Sequence, residues 1–143
     1  MNRMRVCGVE IKSNEAILCL MASNQGLFEL PDCRSNRLQL VNDQDPEQIR
    51  KFQFSLAKLA EDYRISHFVI RERPQKGKFA GSAIGFKIEA ALQLIPSVET
   101  VILSSADIKE SLSRTPVPID FKETGLKGFQ EPAFISAYAF LAK

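Results

Sequence analysis

The stretch Cys7-Gly8-Val9-Glu10-Ile11-Lys12 sets one acidic residue within an otherwise apolar run. The run begins at Arg5, is rich in residues that favour strands, and leads into a polar turn at Ser13. It therefore predicts a first β-strand over residues 5–11 that carries Glu10 near its end.

Two further strand-like segments follow after short turns. The first covers Ala16–Met21, and the second covers Leu27–Leu30 with Leu38–Val41 as its continuation. Short turns between successive strands are typical of antiparallel pairing. We therefore expect a three-stranded antiparallel meander at the start of the chain.

Helical and strand-like segments alternate in the rest of the chain. Asp45 is a good N-cap and Pro46 fits the first helical position, so a helix is predicted from Pro46 to Asp62. The later predicted elements are a strand over His67–Arg71 that ends on Glu72, a helix over Phe79–Leu94, a strand over Val98–Leu103, a short helix capped by Ser105, and a last helix over Pro132–Ala142. Residues 113–130 lack periodicity and are predicted to form a functional or mobile loop.

The predicted order is a meander followed by alternating helices and strands. Such an order indicates an α/β fold with a mixed five-stranded sheet and helices on both faces. The length of 143 residues fits one domain over residues 1–143.

Composition places the chain among ordinary soluble proteins. Apolar residues make up 45% and charged residues 25%, and nothing approaches the roughly 18 apolar residues of a membrane span. The N-terminus has no secretory h-region. Cys7, Cys19 and Cys33 form an odd set without CxxC spacing, which argues against disulfides and zinc and favours a reducing cytoplasm. The net charge of +2 is only mildly basic.

This order of elements resembles the ribonuclease H-like fold, and three motifs resemble those of Holliday-junction resolvases of the RuvC type. Cys7–Lys12 is similar to the first motif, in which glycine stands two residues before a catalytic aspartate. Phe68–Glu72 is similar to a strand that ends in a catalytic glutamate. Gln130-Glu131-Pro132-Ala133 resembles the start of a C-terminal helix that carries catalytic aspartates. The chain is also similar to a gammaproteobacterial family with a domain of unknown function.

The resemblance implies a metal-dependent nuclease, with Glu10, Glu72 and Glu131 as catalytic residues and as ligands of Mg²⁺ or Mn²⁺. Two-metal phosphodiester cleavage needs several carboxylates around ions about 4 Å apart. The sequence departs from the family at two positions. Glu10 is a glutamate where the family has aspartate, and Phe134 stands where the family has a second aspartate in the last helix.

Basic residues flank the predicted acidic site. Arg71, Arg73, Lys76 and Lys78 fall within eight residues, and Lys127 lies in the long loop before Glu131. Lys109 is similar to a lysine that the resolvases often carry after the fifth strand. Cations in such loops can hold a nucleic-acid backbone, so the predicted partner is DNA or RNA. The alternative is that these are ordinary solvated loops.

Each acid also has a structural interpretation. Glu10 can pair with Lys12, Glu72 can pair with a neighbouring arginine, and Glu131 is a favourable charge at a helix N-terminus. The alternative function is therefore a catalytically inactive ribonuclease H-like module that binds nucleic acid or another protein. A homodimer would suit a relative of the resolvases, and no membrane partner is expected.

Overall fold

The computed structural model describes residues 4–74, 76 and 81–143. The strands are Arg5–Lys12 (β1), Glu15–Asn24 (β2), Leu27–Glu29 (β3), Arg37–Gln39 (β4), His67–Arg71 (β5) and Glu99–Leu103 (β6). The helices are Pro46–Tyr63 (α1), Ala83–Gln93 (α2), Ser105–Arg114 (α3) and Glu131–Leu141 (α4). Short 3₁₀ turns lie at Phe121–Thr124 and Gly128–Gln130. No helix among these residues has the length and apolar character needed to cross a membrane.

The strands form one mixed sheet in the order β3-β2-β1-β5-β6, which confirms the predicted fold class. β1 pairs with β2 antiparallel and with β5 parallel, and β5 pairs with β6 parallel. The sheet of the described residues has six strands instead of the predicted five. The reason is that β3 and β4 pair with opposite ends of β2 as separate short strands, so Leu38 does not continue the strand of Leu27.

The second helix begins later than predicted, and the cap of α3 is one residue earlier than predicted. The second helix was predicted from Phe79, which lies outside the described residues. It begins at Ala83, and Ser82 has an extended backbone and accepts a hydrogen bond from the Gly85 N–H. For α3 the cap is Ser104 and not Ser105, since the Ser104 side chain accepts from Asp107. At α1 the predicted cap, Asp45, is confirmed.

Alternation along the central strands divides the core into two layers. Cys7 and Val9 of β1 pack beneath α1 and α2. Val6 of β1 and Val69 of β5 belong to the layer beneath α3 and α4. Because side chains alternate between the faces of a strand, Gly8 and Glu10 point to the α4 side with Val6.

Helix α4 lies directly on β1 at Gly8. A Cβ atom added to Gly8 would lie 2.0 Å from the carbonyl oxygen of Ala133 and 3.0 Å from the Cβ of Ala137. Only glycine leaves room for the helix backbone at this distance. The contact places the first turn of α4 near the end of β1, which carries Glu10.

Gln130 fixes the entry of the chain into α4. Its side chain is buried, and its Nε2 donates a 2.8 Å hydrogen bond to the carbonyl oxygen of Leu18 on β2. Its Oε1 accepts a 2.9 Å bond from the Lys127 N–H. The start of α4 is therefore attached both to the sheet and to the preceding turn.

The aperiodic stretch before α4 packs against that helix. The Tyr138 hydroxyl of α4 donates to the carbonyl oxygen of Pro116 at 2.8 Å. The Phe121 ring meets the Phe134 ring of α4 edge-on, with 5.6 Å between their centroids. These contacts explain how residues without periodicity can adopt a defined path over the helix.

We predict that Gly8→Ala destabilises the protein. The new methyl group would overlap the Ala133 carbonyl oxygen, and overpacking of this kind typically costs about 1–3 kcal/mol. Chemical denaturation of both proteins measures the difference. The matched control is Gly128→Ala, because a Cβ at Gly128 meets no atom within 4 Å. Equal stability of Gly8→Ala and wild type would contradict the close approach of helix and strand.

Candidate functional site

A cleft of about 530 Å³ lies at the end of β1 and β5, next to the start of α4. Its charged lining residues are Glu10, Lys12, Arg71 and Glu131. The remaining wall consists of Ile17, Gly128, Phe129, Pro132 and Ile135. The cleft therefore combines carboxylates with cations on a partly apolar floor.

Strand register brings Glu10 and Arg71 together. Gly8 pairs with Val69 and Val9 with Ile70, so one further step along the parallel strands places Glu10 beside Arg71. Neighbouring strands lie about 4.8 Å apart, and paired residues point to the same face. Arg71 also pairs with Leu103, which is buried in the layer beneath α4. The two charged side chains therefore share the α4 side of the sheet.

Glu131 reaches the cleft from the first turn of α4. It is exposed, and Pro132 follows it at a position where helices tolerate proline. The packing of α4 on Gly8 brings this turn to the end of β1. Two of the three predicted acids, Glu10 and Glu131, thus line one cleft.

Glu10 is half-buried, and this burial raises the pKa of its carboxyl group. Lys12 and Arg71 oppose the shift, because their positive charges favour the ionised form. Desolvation outweighs these two attractions in the net direction. The Glu10 carboxylate therefore sits in an electrostatically unfavourable place that nearby cations partly relieve.

The structure does not bring the third predicted acid, Glu72, into this cleft. Glu72 is exposed, and its N–H donates to the carbonyl oxygen of Leu103 at 2.8 Å. Its charge helps to raise the pKa of Glu89 on α2, after the larger effect of burial. Since α2 packs on the opposite layer of the core from α4, Glu72 lies towards the other face of the sheet.

Arg73 belongs to the α2 side and not to the cleft. Its guanidinium lies over the Phe86 ring at 4.3 Å and fills the space left by Gly81 and Gly85. Burial lowers the pKa of the Arg73 guanidinium, and the nearby charge of Glu89 offsets this effect only in part. Its Nε and Nη2 are buried without a hydrogen-bond partner among the described residues. The absence of a side chain at Gly81 and Gly85 leaves the room that the Arg73 guanidinium occupies.

The other predicted basic residues lie away from the cleft lining. Lys76, Lys109 and Lys127 are exposed, and Lys127 borders a neighbouring hollow beside Gln130. Lys78 lies outside the described residues. Arg71 is thus the member of the predicted basic set that lines the acidic cleft.

Phe134 follows Glu131 by three residues and is completely buried. Its ring meets Phe28 and Phe121 edge-on, with centroid distances of 5.7 and 5.6 Å. This position therefore contributes to the apolar core and supplies no ligand atom to the cleft.

The cleft does not fit a pair of catalytic divalent ions. Such a pair needs several carboxylate oxygens around both metals. Over the part of the chain that the structure describes, no group of three or more His, Cys, Asp or Glu side chains could hold a metal ion. The carboxylates of Glu10 and Glu131 also share the cleft with the cations of Lys12 and Arg71.

Comparison with solved structures defines the class of fold. The chain is similar to Thermus thermophilus RuvC, with a TM-score of 0.72 and 11% identity over 97% of this chain and 94% of that one. It is also similar to T. thermophilus RuvC in complex with a Holliday junction substrate, with a TM-score of 0.63 and 14% identity over 97% and 93%. The chain is also similar to the yeast mitochondrial Holliday junction resolvase Ydc2, with a TM-score of 0.57 and 10% identity over 97% of this chain and 76% of that one. The chain therefore has the ribonuclease H-like fold of the RuvC type.

Sequence comparison then assigns the family. Residues 4–140 match the model of the family described as "Protein of unknown function (DUF3010)", and the chain belongs to that family. A comparison with curated proteins found no matching relative. The gammaproteobacterial origin of the chain stays a prediction.

We predict that Glu10→Gln stabilises the protein at neutral pH. Burial raises the folded-state pKa of Glu10, so the folded protein holds this proton more tightly than the unfolded chain does. The stability from this group is therefore complete below its ordinary pKa of 4.5 and is lost as pH rises through the folded-state pKa. Glutamine carries no charge and avoids this loss.

The test is thermal unfolding of both proteins from pH 4 to pH 8, in the presence of EDTA. The advantage of Glu10→Gln should be present at neutral pH and vanish below pH 4.5. Glu123→Gln, at an exposed acid outside the cleft lining, is the control. A Glu10→Gln protein less stable than wild type at pH 7 would show that the carboxylate is stabilising there.

Proposed function

We propose that this protein binds a DNA or RNA backbone at the cleft of Glu10, Arg71 and Glu131, as a ribonuclease H-like module that does not cleave its ligand. The observation that carries this proposal is the presence of Arg71 in the cleft lining beside the two carboxylates. A guanidinium is permanently charged and binds phosphate oxygens with two parallel hydrogen bonds.

The arrangement of charge around the cleft supports the same proposal. Lys12 lies on the cleft, and Arg71 is half-buried beside it. Lys76, Lys109 and Lys127 are exposed and lie outside the lining, so the proposal rests on the cations of the cleft itself. Contacts of this kind to phosphates fix the register of a nucleic acid without reading its sequence. The similar T. thermophilus structure is a RuvC in complex with a Holliday junction substrate, which makes a branched DNA the first ligand to test.

Metal-dependent cleavage is the second candidate function, with Mg²⁺ or Mn²⁺ as the cofactor. The observation that favours it is that Glu10 and Glu131 line one cleft. Glu72, the third acid that the resemblance implies, lies towards α2, so it would have to reach the cleft from the other side. Cleavage therefore has weaker support from the described geometry than backbone binding has.

The proposal also includes a cytoplasmic location and a homodimer. Free Cys7 and Cys19 are buried, and these thiols suit the cytoplasmic location predicted from the sequence. A homodimer would present two clefts to a branched ligand, and sedimentation of the chain with and without that ligand would measure the stoichiometry.

We predict that Arg71→Gln weakens binding to a four-way DNA junction by roughly tenfold, the effect of losing one good phosphate contact of about 1–2 kcal/mol. The slope of the logarithm of affinity against the logarithm of salt concentration should fall by about one. Fluorescence anisotropy with junction, duplex and single-stranded DNA, and with matched RNA, measures both quantities in EDTA.

Arg50→Gln is the matched control for this experiment. Arg50 is an exposed arginine of α1, which packs on the other layer of the sheet, and its ion pair with Glu47 is also exposed. Its removal lowers the net charge by the same amount and should leave the affinity within about twofold, as an exposed pair contributes little. Equal affinities of Arg71→Gln and wild type would exclude the cleft as the binding site.

The same substrates distinguish the two candidate functions. Incubation with Mg²⁺ or Mn²⁺ should leave the labelled junction intact. Cleavage that needs the metal and disappears in both Glu10→Gln and Glu131→Gln would establish the nuclease instead. Glu72→Gln then tests whether the third acid takes part.

A further inference from the structure

We infer that Arg71, assisted by Lys12, is the resident cation of this cleft, so that Glu10 and Glu131 are neutralised by the protein itself and bind no divalent metal ion. This inference goes beyond the proposed function, because it concerns the cleft without any nucleic acid. It also gives a physical reason for the poor fit of the cleft to a metal pair.

Arg71 lies in the same cleft as the two carboxylates. The strand register places it next to Glu10 on the same face, and both side chains line the cleft with Glu131. A guanidinium on the neighbouring strand, with the strands about 4.8 Å apart, attracts the Glu10 carboxylate. Lys12 lies two residues after Glu10 on β1 and lines the same cleft as Glu10 and Glu131.

The guanidinium of Arg71 carries a permanent positive charge. Arginine stays protonated under all ordinary conditions, so its charge cannot be removed to admit a metal. A divalent ion entering the cleft would be repelled by Arg71 and Lys12, which line it. Glu10 and Glu131 are attracted to these cations before any metal arrives.

The cleft has few oxygen ligands for a divalent metal ion. Mg²⁺ requires near-octahedral oxygen coordination and is usually held by carboxylates together with water and substrate oxygens. Glu72 follows Ile70, which packs beneath α1 and α2, by two residues and is absent from the cleft lining. Phe134 is fully buried among aromatic rings. A site made by Glu10 and Glu131 alone is therefore weak, and two cations in the same cleft are enough to exclude a metal ion from it.

Metal titration of charge variants tests the inference. Thermal unfolding of the full chain is measured in EDTA and in millimolar Mn²⁺ or Mg²⁺, and free Mn²⁺ is counted by its paramagnetic resonance signal. Wild type and Arg71→Lys, which keeps the positive charge, should bind no Mn²⁺ and keep their melting temperature. Arg71→Gln should begin to bind the ion.

The double variant Lys12→Gln/Arg71→Gln should show the largest response. Its melting temperature should rise by about 5 °C or more when Mn²⁺ is in about hundredfold excess over its dissociation constant. Adding Glu10→Gln to that double variant should abolish both the shift and the loss of free Mn²⁺. Arg50→Gln, which removes a positive charge from α1, should behave as wild type. If the double variant does not fold, Arg71→Gln alone is judged by the same criterion.

Two results would overturn the inference. One is Mn²⁺ binding by wild type that matches or exceeds binding by the charge variants, since the resident cations would then not exclude the metal. The other is the absence of any Mn²⁺ response in a folded variant that lacks both cations. Nucleic-acid binding is not read in this experiment, so failure of the proposed function and failure of this inference are distinguishable.

Discussion

The contact between helix α4 and strand β1 at Gly8 sets the position of the two cleft carboxylates relative to each other. The helix backbone approaches the strand so closely that an added Cβ would lie 2.0 Å from the carbonyl oxygen of Ala133. Glu131 is two residues before Ala133, and Glu10 is two residues after Gly8. A single steric constraint therefore places both carboxylates at one end of the sheet, and Gln130 holds the helix start there through its bond to Leu18.

Alternation of side chains along β5 decides which charged residue accompanies those carboxylates. Val69 and Arg71 share the face beneath α4, whereas Phe68 and Ile70 pack beneath α1 and α2. The sequence motif drew attention to Glu72, because that acid ends the strand. Because every second side chain of a strand points to the same face, Arg71 lies on the same face as Val69, which is the α4 side. The signal was present in the sequence but needed the knowledge of which face α4 covers.

The fold could be predicted further than the site because it depends on patterns that many residues share. The cap at Asp45 and the apolar strands are local features, and the structure confirms them. The division of the third segment into β3 and β4 was not local, since both depend on where β2 offers free edge positions. The position of Arg73 likewise depends on Phe86, Gly81 and Gly85, which contact it only after folding.

The departures from the resolvase pattern are consistent with one another in their effect on charge. Phe134 replaces an expected carboxylate with a ring that packs against Phe28 and Phe121. Arg71 adds a permanent cation beside Glu10. Both changes make the cleft less negative, and fewer unbalanced carboxylates need a metal to offset their mutual repulsion. A cleft balanced in this way no longer repels a phosphate backbone, whereas an acidic cleft repels it until metal ions bind. The ribonuclease H-like fold is therefore compatible with either kind of site, and under our proposal Arg71 is the residue that favours backbone binding over metal binding in this chain.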